Sequence, residues 1–245
     1  MKSEWFRCYV PASENAARLI CFPHAGGAAS AYVTLARALA PDIEVVSVQY
    51  PGRQDRRREP AVTDLRLLAG LVTEAIGEPD RPYALFGHSM GAIVAHETAR
   101  LLARRPVPAP LRLFLSGRGA PSPLRREAGP RDDAALLTEI RRLGGTDSAL
   151  LDDPELLELA MPVLRADYAA LGRYHWTGGP PLASPLSVLI GADDPLVTVG
   201  QAAAWREHTT ASFELKVFPG GHFYLGDATD EVADVVSSAL TARVA

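Results

Sequence analysis

Cysteine is scarce in this chain: Cys8 and Cys21 are the two thiols among 245 residues. Two are too few for a disulfide framework, and they lack the clustered spacing of a zinc site; ordinary thiols suit a reducing cytoplasm. A long apolar run is also missing. The opening MKSEWFRCYV has no apolar core of the signal-peptide kind, and no later stretch has the unbroken length of a membrane span. A soluble, cytoplasmic protein is therefore expected, with no membrane partner. Nor does charge of one sign dominate. A formal net charge of −4 and a pI near 5.9 give no global reason to expect nucleic acid as a partner. Internal repeats and low-complexity tracts are absent as well. What remains is an ordinary globular composition, 47% hydrophobic and 22% charged, able to bury a substantial core. One domain spanning residues 1–245 accounts for this length more naturally than two small ones.

Short β-rich runs alternate with amphipathic segments. RLICF (18–22), IEVVSVQY (43–50), YALFG (83–87), LRLFLSG (111–117), LSVLIG (186–191) and FELKVF (213–218) read as strands, and 31–39, 64–76, 91–104, 198–208 and 231–240 as helices. This alternation predicts a mostly parallel sheet. The continuous apolar character of LRLFL and LSVLI suggests strands covered on both faces, a doubly wound α/β fold with its ligand site at the strands' carboxyl ends. About sixty residues, 120–181, interrupt the rhythm with helical periodicity and no good strand. Leu136, Leu137, Ile140 and Leu143 share one helical face, and Leu157, Met161, Leu164, Tyr168 and Leu171 repeat at spacings of four and three. Pro162 is expected to kink or begin a helix, and Gly144-Gly145 and Gly178-Gly179 to act as flexible joints. The segment reads as an inserted helical lid, with two ordinary core helices as the plainer alternative.

Gly87-His88-Ser89-Met90-Gly91 lies between a predicted strand and a predicted helix. It matches G-x-S-x-G, in which small flanking residues permit a tight turn that projects a serine hydroxyl from the sheet edge. The plainer reading is a serine capping the helix that starts at Met90. A serine hydroxyl is a weak nucleophile near neutral pH, so catalysis demands a histidine base and a carboxylate to orient it. Of six histidines, His222 in PGGHF follows the last strand and is the best candidate. His88 should point elsewhere, His96 lies on the following helix, His208 ends another, and His175 belongs to the inserted segment. GADDPLV offers Asp194 at the G-x-x-D position, or its neighbour Asp193. The order Ser89, Asp194, His222 is that of the α/β hydrolases. The oxyanion would be held by the N–H groups of Met90 and of Ala25 in FPHAGGAAS, where Gly26 and Gly27 favour close backbone approach; a simple glycine-rich connection is the alternative.

CFPHAGG, VQYPGR, FGHSMGA, RRLGGT, LRADY, GADDPLV and PGGHFYL together resemble the free-standing type II thioesterases of polyketide and nonribosomal peptide pathways, over nearly the whole chain. The resemblance implies the α/β-hydrolase fold and hydrolysis of acyl groups stalled on the 4′-phosphopantetheine arm of an acyl or peptidyl carrier protein. No metal or redox cofactor is then needed, because the pantetheine belongs to the substrate. Carrier proteins of this class are generally acidic, so Arg53, Arg56, Arg57 and Arg58 in GRQDRRR could guide that partner, although a solvated charged loop is the commoner reason for such a run. Other readings are an acyltransferase or cyclising thioesterase, a small-ester hydrolase, and a noncatalytic binding protein on the same fold.

Overall fold

The computed structural model describes residues 3–122, 132–144 and 153–241. Seven strands form one sheet in the order β1-β3-β2-β4-β5-β6-β7: β1 (Phe6–Arg7), β2 (Ala17–Phe22), β3 (Ile43–Val48), β4 (Tyr83–His88), β5 (Leu113–Ser116), β6 (Leu186–Gly191) and β7 (Phe213–Phe218). Strands β2 to β7 pair in parallel. Among the described strands β1 alone runs antiparallel, against β3. Sequence pattern does not reveal β1, because two residues carry no periodicity. Every residue of β4, β5 and β6 is buried, as expected of strands covered on both faces.

The two coverings are separate clusters. On one side α2 (Leu65–Ile76) and α3 (Met90–Leu102) pack Leu68, Val72, Ile93 and Val94 against Ile20, Leu85, Leu115 and Val188. On the other, α1 (Val33–Leu39) and α7 (Thr229–Thr241) bring Leu35, Leu39, Val232 and Val236 to Leu19, Val45, Phe86 and Phe114. Alternate residues of β2 to β7 thus serve opposite cores. Helix α2 begins where Asp64 accepts the N–H groups of Arg66 and Leu67, and stops at Gly77, whose φ of 63° suits glycine. The short α6 (Val199–Ala203) opens on a capping box made by Thr198 and Gln201.

Among the described residues of 120–181 there are two helices and no strand. Helix α4 (Asp133–Leu143) is capped by Asp132 and ends at Gly144 in the left-handed conformation. Helix α5 (Pro154–Arg173) starts with Pro154 in its first turn under an Asp153 cap. Pro162 therefore lies inside α5 and does not begin it. Leu136 and Ile140 pack on Met161 and Leu164 in a small core of their own, while Ala170 and Leu171 join the main core beside the sheet. Gly145 lies outside the described residues. Gly178 and Gly179 both have positive φ.

Candidate active site

The turn from β4 into α3 is set by close backbone packing. A Cβ on Gly87 would stand 2.2 Å from the carbonyl oxygen of Gly91, and one on Gly91 would stand 1.9 Å from that of Phe22. Neither position admits a side chain, because both neighbours are backbone. Ser89 between them adopts φ 55° and ψ −114°, a costly conformation for a non-glycine residue that only a surrounding structure can hold. Its side chain makes no helix-capping bond. The capping alternative therefore does not describe Ser89.

His222 Nε2 lies 3.0 Å from Ser89 Oγ, and His222 Nδ1 lies 2.8 Å from Asp194 Oδ2. The side chains of His222 and Asp194 are 1% and 0% exposed, so little water competes for either bond. The other oxygen of Asp194 accepts the N–H of Leu196 at 2.8 Å, which fixes the carboxylate. Asp193 stays at the surface and contributes its N–H to the carbonyl of Gly220 at 2.9 Å. That bond and the bare Gly191, where a Cβ would stand 2.1 Å from the Gly221 carbonyl oxygen, draw the histidine loop against the end of β6. Gly191 thus provides the room that this close approach needs.

As the first residue of α3, Met90 has its N–H outside the helical hydrogen-bond ladder. In the facing loop, Gly26 gives its N–H to Asp167 Oδ2 at 2.7 Å and Gly27 gives its own to the His24 carbonyl at 3.0 Å. Among the described residues no backbone bond engages the N–H of Ala25. Both N–H groups lie outside the backbone bonds of their own loops.

Two further histidines lie near His222. His88 Nδ1 meets Ser116 Oγ at 2.9 Å, Ser116 Oγ meets the Tyr224 hydroxyl at 2.7 Å, and the His88 ring centre is 5.1 Å from that of His222. Burial, and secondarily the neighbouring His222, hold His88 well below the usual histidine range; burial likewise lowers His24 to about 4. Both rings are neutral at pH 7 and place no positive charge beside His222. His96 and His208 pack on Trp176 and Trp205 behind α3, and His175 is exposed. None of these three joins Ser89.

The arginine run divides. Arg53 and Arg56 are buried, at 5% and 8% exposure, so neither a solvated loop nor a docking patch describes them. Arg56 forks onto Glu59, donates to the Gln49 carbonyl at 2.9 Å and lies over the Trp5 ring. Arg53 is paired with Asp167, 114 residues away, a partner that no local pattern reveals. Arg57 and Arg58 alone are exposed.

The fold, with a serine on the sharp turn after a central parallel strand, is that of the α/β hydrolases. The chain belongs to the thioesterase family, whose Thioesterase domain it matches over residues 17–240. It is 49% identical over 240 residues to a probable cadicidin biosynthesis thioesterase of Streptomyces griseus, covering 97% of this chain and 66% of that protein. It is 45% identical to the thioesterase PikA5 of Streptomyces venezuelae, covering 96% of this chain and 85% of that one. Among solved structures it matches the type II thioesterase BorB from the borrelidin biosynthetic cluster with a TM-score of 0.89 and 42% identity, over 98% of this chain and 99% of BorB. The described residues hold no group of three or more His, Cys, Asp or Glu placed to bind a metal, and no helix long and apolar enough to cross a membrane.

Proposed function

We propose that the protein is an editing thioesterase that hydrolyses acyl groups from the phosphopantetheine thiol of a carrier protein in polyketide or nonribosomal peptide synthesis. The observation that carries this is the 3.0 Å approach of His222 Nε2 to Ser89 Oγ, with Asp194 2.8 Å behind the same ring. His222 accepts the Ser89 proton as Oγ attacks the thioester carbonyl. Asp194 holds the imidazole in the tautomer this requires and stabilises the imidazolium. The amides of Met90 and Ala25 receive the oxyanion. Collapse breaks the C–S bond, and the proton on His222 goes to the departing thiolate. A water molecule, giving its proton to His222, then attacks the acyl-serine; the second collapse releases the carboxylic acid and returns the proton to Ser89. No step draws on a metal or redox cofactor. The partner is an acyl or peptidyl carrier, the setting is cytoplasmic, and α4 and α5 act as a lid on a single domain that screens the acyl chain.

The test uses intact protein and its Ser89→Ala variant on acetyl- or propionyl-loaded carrier, with loss of the acyl group followed by intact mass. Release by the wild type is expected to fall about 10⁶-fold in the variant. Equal release by both removes Ser89 from the reaction. No release by the wild type, despite labelling of Ser89 by a serine-directed probe, redirects the chemistry to another acyl donor.

A further inference from the structure

We infer that Arg53 and Asp167 are positioning residues which hold the loop 24–27 in the register that oxyanion stabilisation at Ala25 needs. The inference rests on the reading of Ser89 chemistry given above. Asp167 is 1% exposed and spans two partners, accepting from the Gly26 N–H at 2.7 Å and from Arg53 at 2.6 Å. Arg53 in turn donates to the Gly27 carbonyl at 2.7 Å. The pair thus grips the peptide group between Ala25 and Gly26 by its N–H and the one between Gly27 and Ala28 by its C=O.

The neighbouring residues extend the same hold. Gln49 accepts the Ala29 N–H at 2.9 Å and donates to the Arg53 carbonyl at 3.0 Å. The Tyr50 hydroxyl reaches the Pro23 carbonyl, and its ring lies 4.9 Å beneath the Arg53 guanidinium. Leu164, one helical turn before Asp167 on α5, packs so closely that a Cβ on Gly26 would stand 2.5 Å from its Cδ2. The segment QYPGR and the helix α5 therefore converge on a loop of four residues. A buried ion pair is a poor device for stability alone, since apolar residues of similar volume commonly do as well. Fixing two backbone groups in one orientation is a task that apolar residues cannot perform.

Three variants test the assignment on a carrier-bound acyl thioester: Asp167→Asn, Arg53→Lys, and the pair Arg53→Met with Asp167→Leu, which leaves no lone buried charge. Arg53→Lys keeps a cation opposite Asp167 but lacks the fork that reaches Gly27 as well, so it serves if the paired variant does not fold. Displacing a catalytic group by about 1 Å costs on the order of 10²-fold. The expected result is a fall in kcat of about 10- to 100-fold with KM within about twofold, and in the paired variant the thermal midpoint is retained. Affinity for an acyl trifluoromethyl ketone, which forms the tetrahedral adduct, should fall by the same factor as kcat/KM, while an unreactive amide analogue binds as before. Wild-type kcat in a folded variant overturns the inference. So does an equal loss of both analogues, which is what simple loosening of the pocket produces. Wild-type kcat in these variants beside an inactive Ser89→Ala defeats the clamp alone, whereas an active Ser89→Ala defeats the reading beneath it.

Discussion

Two glycine-bearing loops face each other at the carboxyl edge of the sheet, and they are held by opposite means. The turn 87–91 is fixed by backbone against backbone: Gly91 touches the Phe22 carbonyl and Gly87 touches Gly91. The loop 23–27 is held mostly by side chains that arrive from elsewhere, Tyr50, Arg53 and Asp167. The first arrangement is completed by the backbone of the two strands beside it, β2 and β5, the latter accepting the Ser89 N–H at the Ser116 carbonyl at 2.8 Å. The second exists only once α5 and the segment after β3 have docked. Under the proposed chemistry the nucleophile is thus placed by the backbone of the central strands, whereas the proposed oxyanion donor Ala25 is placed by side chains of the assembled fold. Covering helices such as α5 can then influence chemistry that they do not perform.

The largest effects are expected on the nucleophile's side. Asp194→Asn preserves shape but no longer enforces the His222 tautomer, and kcat is expected to fall about 10⁴-fold, measured by steady-state release of free thiol. A loss of less than tenfold would mean that burial alone orients His222, and that the Asp194 carboxylate does not set its tautomer. Below that stands a contrast in stability. Gly91→Ala sets a Cβ against backbone that cannot yield and should prevent folding or cost several kcal/mol, beyond the range of about 1–3 kcal/mol typical of overpacking. Gly26→Ala meets only the end of the Leu164 side chain, with the added strain of φ 75°, and should cost about 1–3 kcal/mol. Urea unfolding of both variants checks the order. If Gly26→Ala proves the more damaging, the two loops do not differ in the way their contacts indicate.

The same division governs what was legible in the sequence. Strand positions β6 and β7 and the placement of Ser89 follow from alternation and from a motif whose residues touch one another, so local pattern suffices for them. Chain order and the strand it follows point to His222, and spacing alone favours Asp194 over Asp193; only the fold shows which of the two reaches Nδ1. The short β1 escaped because a two-residue strand exists by virtue of its partner β3. Arg53 and Arg56 were read as surface charge for a similar reason. A guanidinium is exposed by default and becomes buried only when a carboxylate and carbonyls are assembled around it, and Asp167 belongs to a helix more than a hundred positions later. The signal that existed was the coincidence of YPGR and LRADY in one chain, which a pairwise reading of an arginine with a distant aspartate would have had to join.

The smallest effect expected lies at the far end of the same arginine run. Arg57 and Arg58 are exposed and stand outside the hold on the 23–27 loop, so the double variant Arg57→Ala, Arg58→Ala should retain its thermal midpoint and its kcat. If they steer an acidic carrier, kcat/KM for carrier-bound substrate should fall about two- to fivefold at low salt, and the loss should vanish near 0.5 M salt, where screening shortens to a few ångströms. A soluble pantetheine thioester has no acidic surface to steer and should be turned over as before. Arg53→Lys, in contrast, should slow both substrates by similar factors at any salt, because its effect passes through the oxyanion loop and not through encounter. A salt-dependent loss that appears equally on the small thioester would place Arg57 and Arg58 within reach of the reacting centre. It would also erase the separation between the buried arginine that shapes the site and the exposed pair that lies beyond it.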